Sequence, residues 1–448
     1  MYDRQGTFAL FEEQKENWEK KAKEGIERYR KGDVRLKVVD QQGNPVEGAE
    51  VRFVQKSHEF SFGANLFMLG QMETEEKNQQ YEACFAELFN MATLPFYWNT
   101  LEPERGKPRY AADSPAIYRR PAPDSCIAFC QAHGIEPREH ALAYDAFFPD
   151  WLVGASDEEV KQELDRRFRE IAERYAHLIP TIEVTNEMEW QKGKTAFYDH
   201  PDFISYCFGL AEKYFPHNQL GINEHSPLAW QDRGRTTDKY YAYIENHLLK
   251  GVRIDAIGMQ YHLFFNRDIP DQRRMMMLNP EKLYRHMDLY ARLGKPLQIT
   301  EITIPSYSWE QEDEEIQADL LENLYTIWFS HPAVEQIVYW NLVDGYAHCA
   351  NPAQIPISRG NMTFGENYFH GGLLRFDMTT KPAYKRLKKL LKETWHTEGK
   401  LSTAGGGEGM FRGFFGKYDL EITVGGKTVT KEIQVSKKAD NNLTVVIP

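Results

Sequence analysis

Cysteine is scarce. The five residues Cys84, Cys126, Cys130, Cys207 and Cys349 are an odd, scattered set among 448, which argues against a disulfide-stapled fold. Cys126 and Cys130 stand one helical turn apart and lack the further ligands a zinc site needs, so reduced, buried thiols are expected. Long apolar runs are also missing: no stretch of about 18 or more apolar residues is present to span a bilayer. Residues 1–6 lead into the charged stretch 12–16 with no apolar h-region between them. The expectation is a cytoplasmic protein without a signal peptide, a secreted protein stripped of its leader being the alternative. Clustered positive charge is absent too. Acidic residues outnumber basic ones 66 to 54, and no lysine or arginine block forms a stripe. Nucleic acid is therefore excluded as a partner, because phosphate contacts need such clusters. What the chain has in quantity is aromatic rings (9 Trp, 24 Tyr, 26 Phe), which suit a globular protein with a stacking-rich cleft.

Residues 8–31 are charged, with sparse apolar positions (Leu10, Phe11, Trp18, Ala22, Ile26, Tyr29), the pattern of a surface helix. Residues 34–39 and 49–54 alternate on either side of Gly43-Asn44-Pro45 and read as a hairpin. At the far end, a glycine-rich stretch over 402–407 reads as a linker to strands at 418–424, 428–435 and 443–447. Neither piece can bury a core alone. The N-terminal hairpin and the C-terminal strands are therefore expected to share one small accessory β-sandwich, a scaffold rather than a sugar-binding module.

Between them, strand and helix patterns alternate. Strands are expected at 60–65, 90–98, 135–144, 180–187, 219–224, 254–262, 296–302 and 336–344. Helices fill 73–89, 123–133, 157–177, 201–215, 236–250, 279–293, 312–330 and 382–395. Eight such repeats predict an α/β fold of the (β/α)8 TIM-barrel type. A doubly wound sheet is the rival, but no glycine-rich phosphate turn follows the first strand. The expected division is 1–57 (helix and hairpin), 58–397 (barrel) and 398–448 (C-terminal strands).

Two of these strands deliver a glutamate to their ends. Ile182 and Val184 alternate into Asn186-Glu187, and residues 296–300 run into Glu301. The two acids are 114 residues apart, about 38 per repeat, which places them on the fourth and seventh strands, facing one another across the barrel mouth. Carboxyls roughly 5 Å apart in that position suit a retaining glycosidase. Glu183 shares the strand face of Glu187 a layer deeper and is expected to support the barrel. Glu189, beyond the strand, is placed to contact substrate. Glu224, after Asn223 at the end of the fifth strand, is either part of the site's hydrogen-bond network or a salt-bridged loop acid.

These residues carry a resemblance. The chain resembles glycoside hydrolase family 10, the retaining endo-xylanases, in Phe89-Asn90, Glu102-Pro103-Glu104-Arg105-Gly106, Ala132-His133-Gly134-Ile135 and His140-Ala141-Leu142. It continues in Val184-Thr185-Asn186-Glu187, in the stretch from Ile254 to Gln260-Tyr261-His262, in Ile299-Thr300-Glu301, and in Trp340 with Asp344. The likeness covers about 58–397. It implies that Glu187 is the acid/base, Glu301 the nucleophile, His262 a contact of the nucleophile and Asn186 the holder of the sugar's 2-hydroxyl. The acid needs a raised pKa, and the nucleophile must stay ionised, helped by hydrogen-bond donors. Gln260, His140, Asn223 and Glu224 join the expected substrate-binding set. No organic cofactor and no metal are implied. A metal centre built from His140, Asp145, His262 and Glu301 is disfavoured, because both histidines match hydrogen-bonding positions of the glycosidase. Carbohydrate is the expected partner, nucleic acid and membrane are not, and no sequence pattern specifies an oligomer.

Departures from the family fall on the substrate side. Its Glu-Asn and lysine on strand two, which grip the −2 sugar, are replaced by Thr93-Leu94-Pro95-Phe96-Tyr97-Trp98. Its Trp-His after strand three becomes Tyr144-Asp145, and its Ser-Trp after strand eight becomes Ala347-His348. Trp98, Tyr97, Tyr144, Trp340 and Trp151 are expected to rebuild that wall, giving a reshaped −1 pocket open to hexosides or decorated pentosides. A non-catalytic glycan-binding protein is the alternative. Loops 191–200, 264–278 and 345–370 are expected to rim the cleft.

Overall fold

The computed structural model describes residues 2–188, 193–231, 238–269, 271, 273–349 and 351–448. Two strands come first, β1 (Lys31–Val39) and β2 (Glu50–His58). Eight more close into a parallel barrel: β3 (Ser61–Asn65), β4 (Met91–Pro95), β5 (Glu136–His140), β6 (Thr181–Asn186), β7 (Gln219–Glu224), β8 (Ala256–His262), β9 (Leu297–Thr303) and β10 (Val334–Tyr339), with β10 returning to β3. Five others follow, β11 (Glu398–Ser402), β12 (Glu408–Phe414), β13 (Gly416–Val424), β14 (Lys427–Val435) and β15 (Asn442–Val446).

The barrel strands are covered on both sides, and every residue of β6 and β9 is buried, as parallel strands under a ring of helices must be. Local signals set the register of the repeats. Gly134, at φ 63°, ends the helix Pro123–His133 just before β5. Ser156 and Glu159 form a capping box that starts Asp157–Tyr175. From that helix the buried Arg167 reaches the carbonyls of Leu142, Phe96 and Ala141, tying down the chain just past β4 and β5, where the site begins.

The ends of the chain differ from expectation in three ways. The single helix expected over 8–31 is two, Arg4–Glu13 and Lys15–Tyr29, with the Trp18 indole donating back to the Phe11 carbonyl at the break. The hairpin is an arch. β1 pairs with β12 and β15, whereas β2 pairs with β11 and β13 in the other sheet. Side by side, the two strands would leave one apolar face uncovered. Stacked in opposite sheets, Val34, Leu36 and Val38 meet Val51 and Phe53 in one core with Tyr418, Leu420 and Ile422.

The glycine-rich stretch is no linker but a tight turn between β11 and β12. Gly407 sits at φ +71°, and a Cβ there would lie 2.4 Å from the Val38 carbonyl oxygen. Gly407→Ala is expected to destabilise the sandwich by about 1–3 kcal/mol, read as a lower denaturation midpoint. All five cysteines are free, and among the described residues no helix is long and apolar enough to cross a membrane.

Candidate active site

Glu187 follows the last residue of β6, and Glu301 lies within β9; both adopt left-handed backbone, with φ 51° and 52°. Such geometry costs a non-glycine residue on the order of 1–3 kcal/mol and persists only where the surroundings impose it. At Glu301 the cause is a bulge. Pairing with β8 steps from Gln260–Thr300 to Tyr261–Ile302, leaving Glu301 as the extra residue, and its side chain lines the cavity at the barrel mouth.

That cavity is about 440 Å³. In it, Gln260 holds the two acids together, its amide nitrogen 2.9 Å from Glu187 Oε1 and 3.0 Å from Glu301 Oε1. These oxygens are therefore at most about 6 Å apart, which fits the roughly 5–5.5 Å of a retaining pair and falls short of the roughly 6.5–9.5 Å of an inverting one. Asn223 donates a second amide to Glu301 at 2.9 Å, and its own carbonyl accepts from the Thr300 hydroxyl at 2.7 Å, which fixes the amide's orientation. His262 Nε2 lies 3.4 Å from the other Glu301 oxygen, with Nδ1 2.9 Å from the Thr303 hydroxyl. Burial lowers the His262 pKa to about 4, so it faces Glu301 as a neutral ring. Asn186 accepts from Asn223 at 3.0 Å and Gln260 at 3.3 Å. The Tyr144 hydroxyl donates to Glu187.

Beneath Glu301 runs a charged chain. Arg138 donates to Glu183, whose other oxygen lies 2.7 Å from His140 Nδ1, and that nitrogen is 4.0 Å from Glu301. The Tyr97 hydroxyl is 2.9 Å from His140 Nε2. Burial opposes the charge on Glu183, yet His140 and Arg138 outweigh it and hold the carboxyl below its usual range. Burial also opposes charge on His140, but Glu183 and then Glu301 raise its pKa above the ordinary histidine value. Burial pushes Glu301 well up, with the charges of Glu183 and Glu187 adding to the rise and His140 pulling the other way. His140 is thus the largest influence that opposes the rise of the Glu301 pKa on burial.

His140→Asn removes that positive charge. The Glu301 pKa should rise further, so the acidic limb of the kcat/KM profile is expected to move to higher pH; an unmoved limb would contradict the assignment. His140, Glu183 and Glu301 also bring potential ligand atoms within 4.8 Å of one another. Arg138 already neutralises that carboxylate, and both His140 nitrogens have partners, so the trio serves as a charge network rather than as a cation cradle.

The aromatic wall is partly as expected from the sequence. Tyr97, Tyr144, Trp340 and His348 line the cavity, with Trp340 edge-on to Phe67 at 5.2 Å and His348 edge-on to Phe147 at 5.6 Å. Trp98 does not join them. β4 ends at Pro95 and the chain turns helical over Trp98–Leu101, which places the Trp98 indole against Phe148 and Trp151 with its N–H on Glu102. Asp145 is likewise off the cavity wall: it clamps the next loop, accepting from the Lys194 N–H and the Thr195 hydroxyl. Glu224 is not on the cavity wall. Alternation along β7 turns Asn223 toward the cavity and Glu224 away, where Glu224 holds His225 at 2.6 Å. Asp344 pins the long rim loop through Lys381, the Trp309 indole and the Gly372 N–H, each within 2.8 Å. Glu189 lies outside the described residues.

Sequence reasoning missed Phe67, Phe147, Arg119, Arg120 and Glu366, all on the cavity wall. The adjacent pair Arg119-Arg120 was the one legible signal. A second cavity of about 460 Å³, which includes Arg30, Glu136, Glu335 and Lys437, opens at the N-terminal ends of the strands, the end of such barrels that serves stability.

A parallel eight-stranded barrel with a closely spaced carboxyl pair on its fourth and seventh strands is the arrangement that a retaining glycoside hydrolase requires. The chain belongs to glycosyl hydrolase family 10, whose model matches residues 57–389. Endo-1,4-beta-xylanase 1 of Arabidopsis thaliana is 26% identical over 439 residues, covering 95% of this chain and 40% of that protein. Anti-sigma-I factor RsgI6 of Acetivibrio thermocellus is 27% identical over 417 residues, covering 92% of this chain and 47% of that protein. The chain thus spans less than half the length of these relatives. Xylanase 10B from Thermotoga petrophila RKU-1, solved in complex with xylobiose, shares the fold with a TM-score of 0.58 at 20% identity, over 75% of this chain and 95% of that one.

Proposed function

We propose that this chain hydrolyses β-linked glycans of the xylan type with retention of configuration. Glu301 attacks the anomeric carbon while Glu187 protonates the leaving oxygen; Glu187 then takes a proton from the water that displaces Glu301. The observation that carries this reading is the single Gln260 amide between both carboxyls, which limits their spacing to what one sugar ring needs. Asn186, its carbonyl held by Asn223 and Gln260, presents its amide nitrogen to the 2-hydroxyl. The likeness to proteins named endo-1,4-beta-xylanases supports the choice of polymer. His348, where the family carries tryptophan, supports a −1 pocket reshaped for hexosides or decorated pentosides. Five free thiols support a reducing compartment such as the cytoplasm.

The test is turnover of nitrophenyl xyloside, xylobioside, glucoside and arabinoside, with the anomer of the first product read by NMR. A β-anomer from a β-substrate is expected; an α-anomer would overturn retention, and ordinary rates on plain xylosides alone would overturn the reshaped pocket. One relative is named as an anti-sigma factor and not as a hydrolase, and a second reading is therefore a barrel that binds glycan without cleaving it. Calorimetric binding with no turnover across the panel would select that reading.

A further inference from the structure

At one end of the cavity, beside Phe67, Tyr97 and His348, stand two arginines that the reaction above does not use. We propose that Arg119 and Arg120 receive the carboxylate of a uronic acid carried by the glycan, in the region where the family's strand-two residues grip the −2 sugar. This rests on the glycosidase reading and specifies its substrate further.

Both side chains are deeply buried, Arg119 at 2% and Arg120 at 6% exposure, yet both reach the cavity wall. Among the described residues, their hydrogen bonds go only to neutral acceptors. Arg119 donates to Asn341 Oδ1 at 2.9 Å and to the Tyr346 carbonyl, and Arg120 donates to the Arg119 carbonyl at 2.9 Å. The Nε atom of each is buried with no acceptor. Elsewhere in the molecule buried arginines meet a carboxylate or several carbonyls: Arg138 has Glu183, and Arg30 has the carbonyls of Phe329, His331 and Val334. Here two neighbouring guanidinium groups are desolvated together with no ion pair among the described residues, an arrangement that is costly unless a ligand supplies the charge.

The remaining surroundings are aromatic and hold the groups face-on. Arg120 lies 3.8 Å from the Tyr97 ring centroid, and Arg119 lies 5.4 Å from that of Phe67. Burial lowers the Arg120 pKa to about 10, with Arg119 adding to the fall, so the group remains a cation at neutral pH. The segment is held in place. Arg119 has left-handed backbone (φ 60°), and its N–H donates to Gln71 at 2.7 Å. Glu366, another acid on the wall, acts on His262 and makes no ion pair with either arginine among the described contacts. A neutral sugar hydroxyl would leave the charge unbalanced, whereas a planar carboxylate fits a guanidinium fork.

The experiment compares three xylo-oligosaccharides on the unaltered protein: one with a glucuronic acid branch, its methyl ester, and the unsubstituted chain. The acid is expected to exceed the ester in kcat/KM by roughly tenfold or more, the effect of a charge-assisted hydrogen bond. Arg120→Gln and Arg119→Gln should each reduce that ratio toward one. Equal rates on acid and ester would overturn the proposal, and this arm decides the matter even if a variant fails to fold. If nothing is turned over, calorimetry with the same three compounds separates the two claims. Preferred binding of the acid would sink the glycosidase reading and keep the arginine site, while equal binding of acid and ester would sink the site itself.

Discussion

Glu301→Ala is expected to lower kcat by at least about 10⁴-fold on every substrate, because the proposed covalent intermediate forms on that carboxylate. Glu187→Ala should behave differently. The glycosyl-enzyme can still form when the leaving group needs no proton, so nitrophenyl glycosides should retain slow turnover while glycans with poor leaving groups are lost. Added azide separates the two variants by stereochemistry. With Glu187→Ala, azide attacks the glycosyl-enzyme and yields the β-azide. With Glu301→Ala, azide fills the space left by the nucleophile, attacks the sugar directly and yields the α-azide. The same anomer from both variants would reverse or abolish the assignment of roles.

Glu183→Ala is expected to cost about 3–5 kcal/mol of stability, read by denaturant unfolding, because it leaves Arg138 charged and buried at 1% exposure. The contribution has a defined pH window. Folding lowers the Glu183 pKa, so the stabilisation is fully present above the unfolded value of roughly 4.3 and is lost as pH falls through the folded one. Pairing Glu183→Ala with Arg138→Met should recover part of the loss, since the orphaned charge is then gone. Failure to recover any would mean that the loss lies in the cavity left behind.

The barrel was legible because its signals are local and repeated: apolar strands, capped helices and acids at strand ends. Glu187 and Glu301 could be placed from spacing alone. What spacing does not contain is direction within a loop. Trp98 looked like a wall residue because 90–98 reads as one strand, but the strand stops at Pro95 and the next turn carries the indole behind the wall. Glu224 lost its place to simple alternation, since Asn223 already points inward. The arch between β1 and β2 was invisible for another reason. A two-residue period marks a strand without naming its neighbour, and here every strand that pairs with β1 or β2 lies more than 330 residues away.

That arch has a consequence for synthesis. β1 and β2 emerge before the barrel, yet the partners that cover their edges, β11, β12, β13 and β15, are made only after it. Throughout translation of the barrel, two apolar ribbons wait with unpaired backbone, a state that invites pairing with other chains. Completion of the sandwich then fastens the segment before the barrel to the segment after it, so a nascent chain cut short before β11 would carry a finished barrel and an open, adhesive edge.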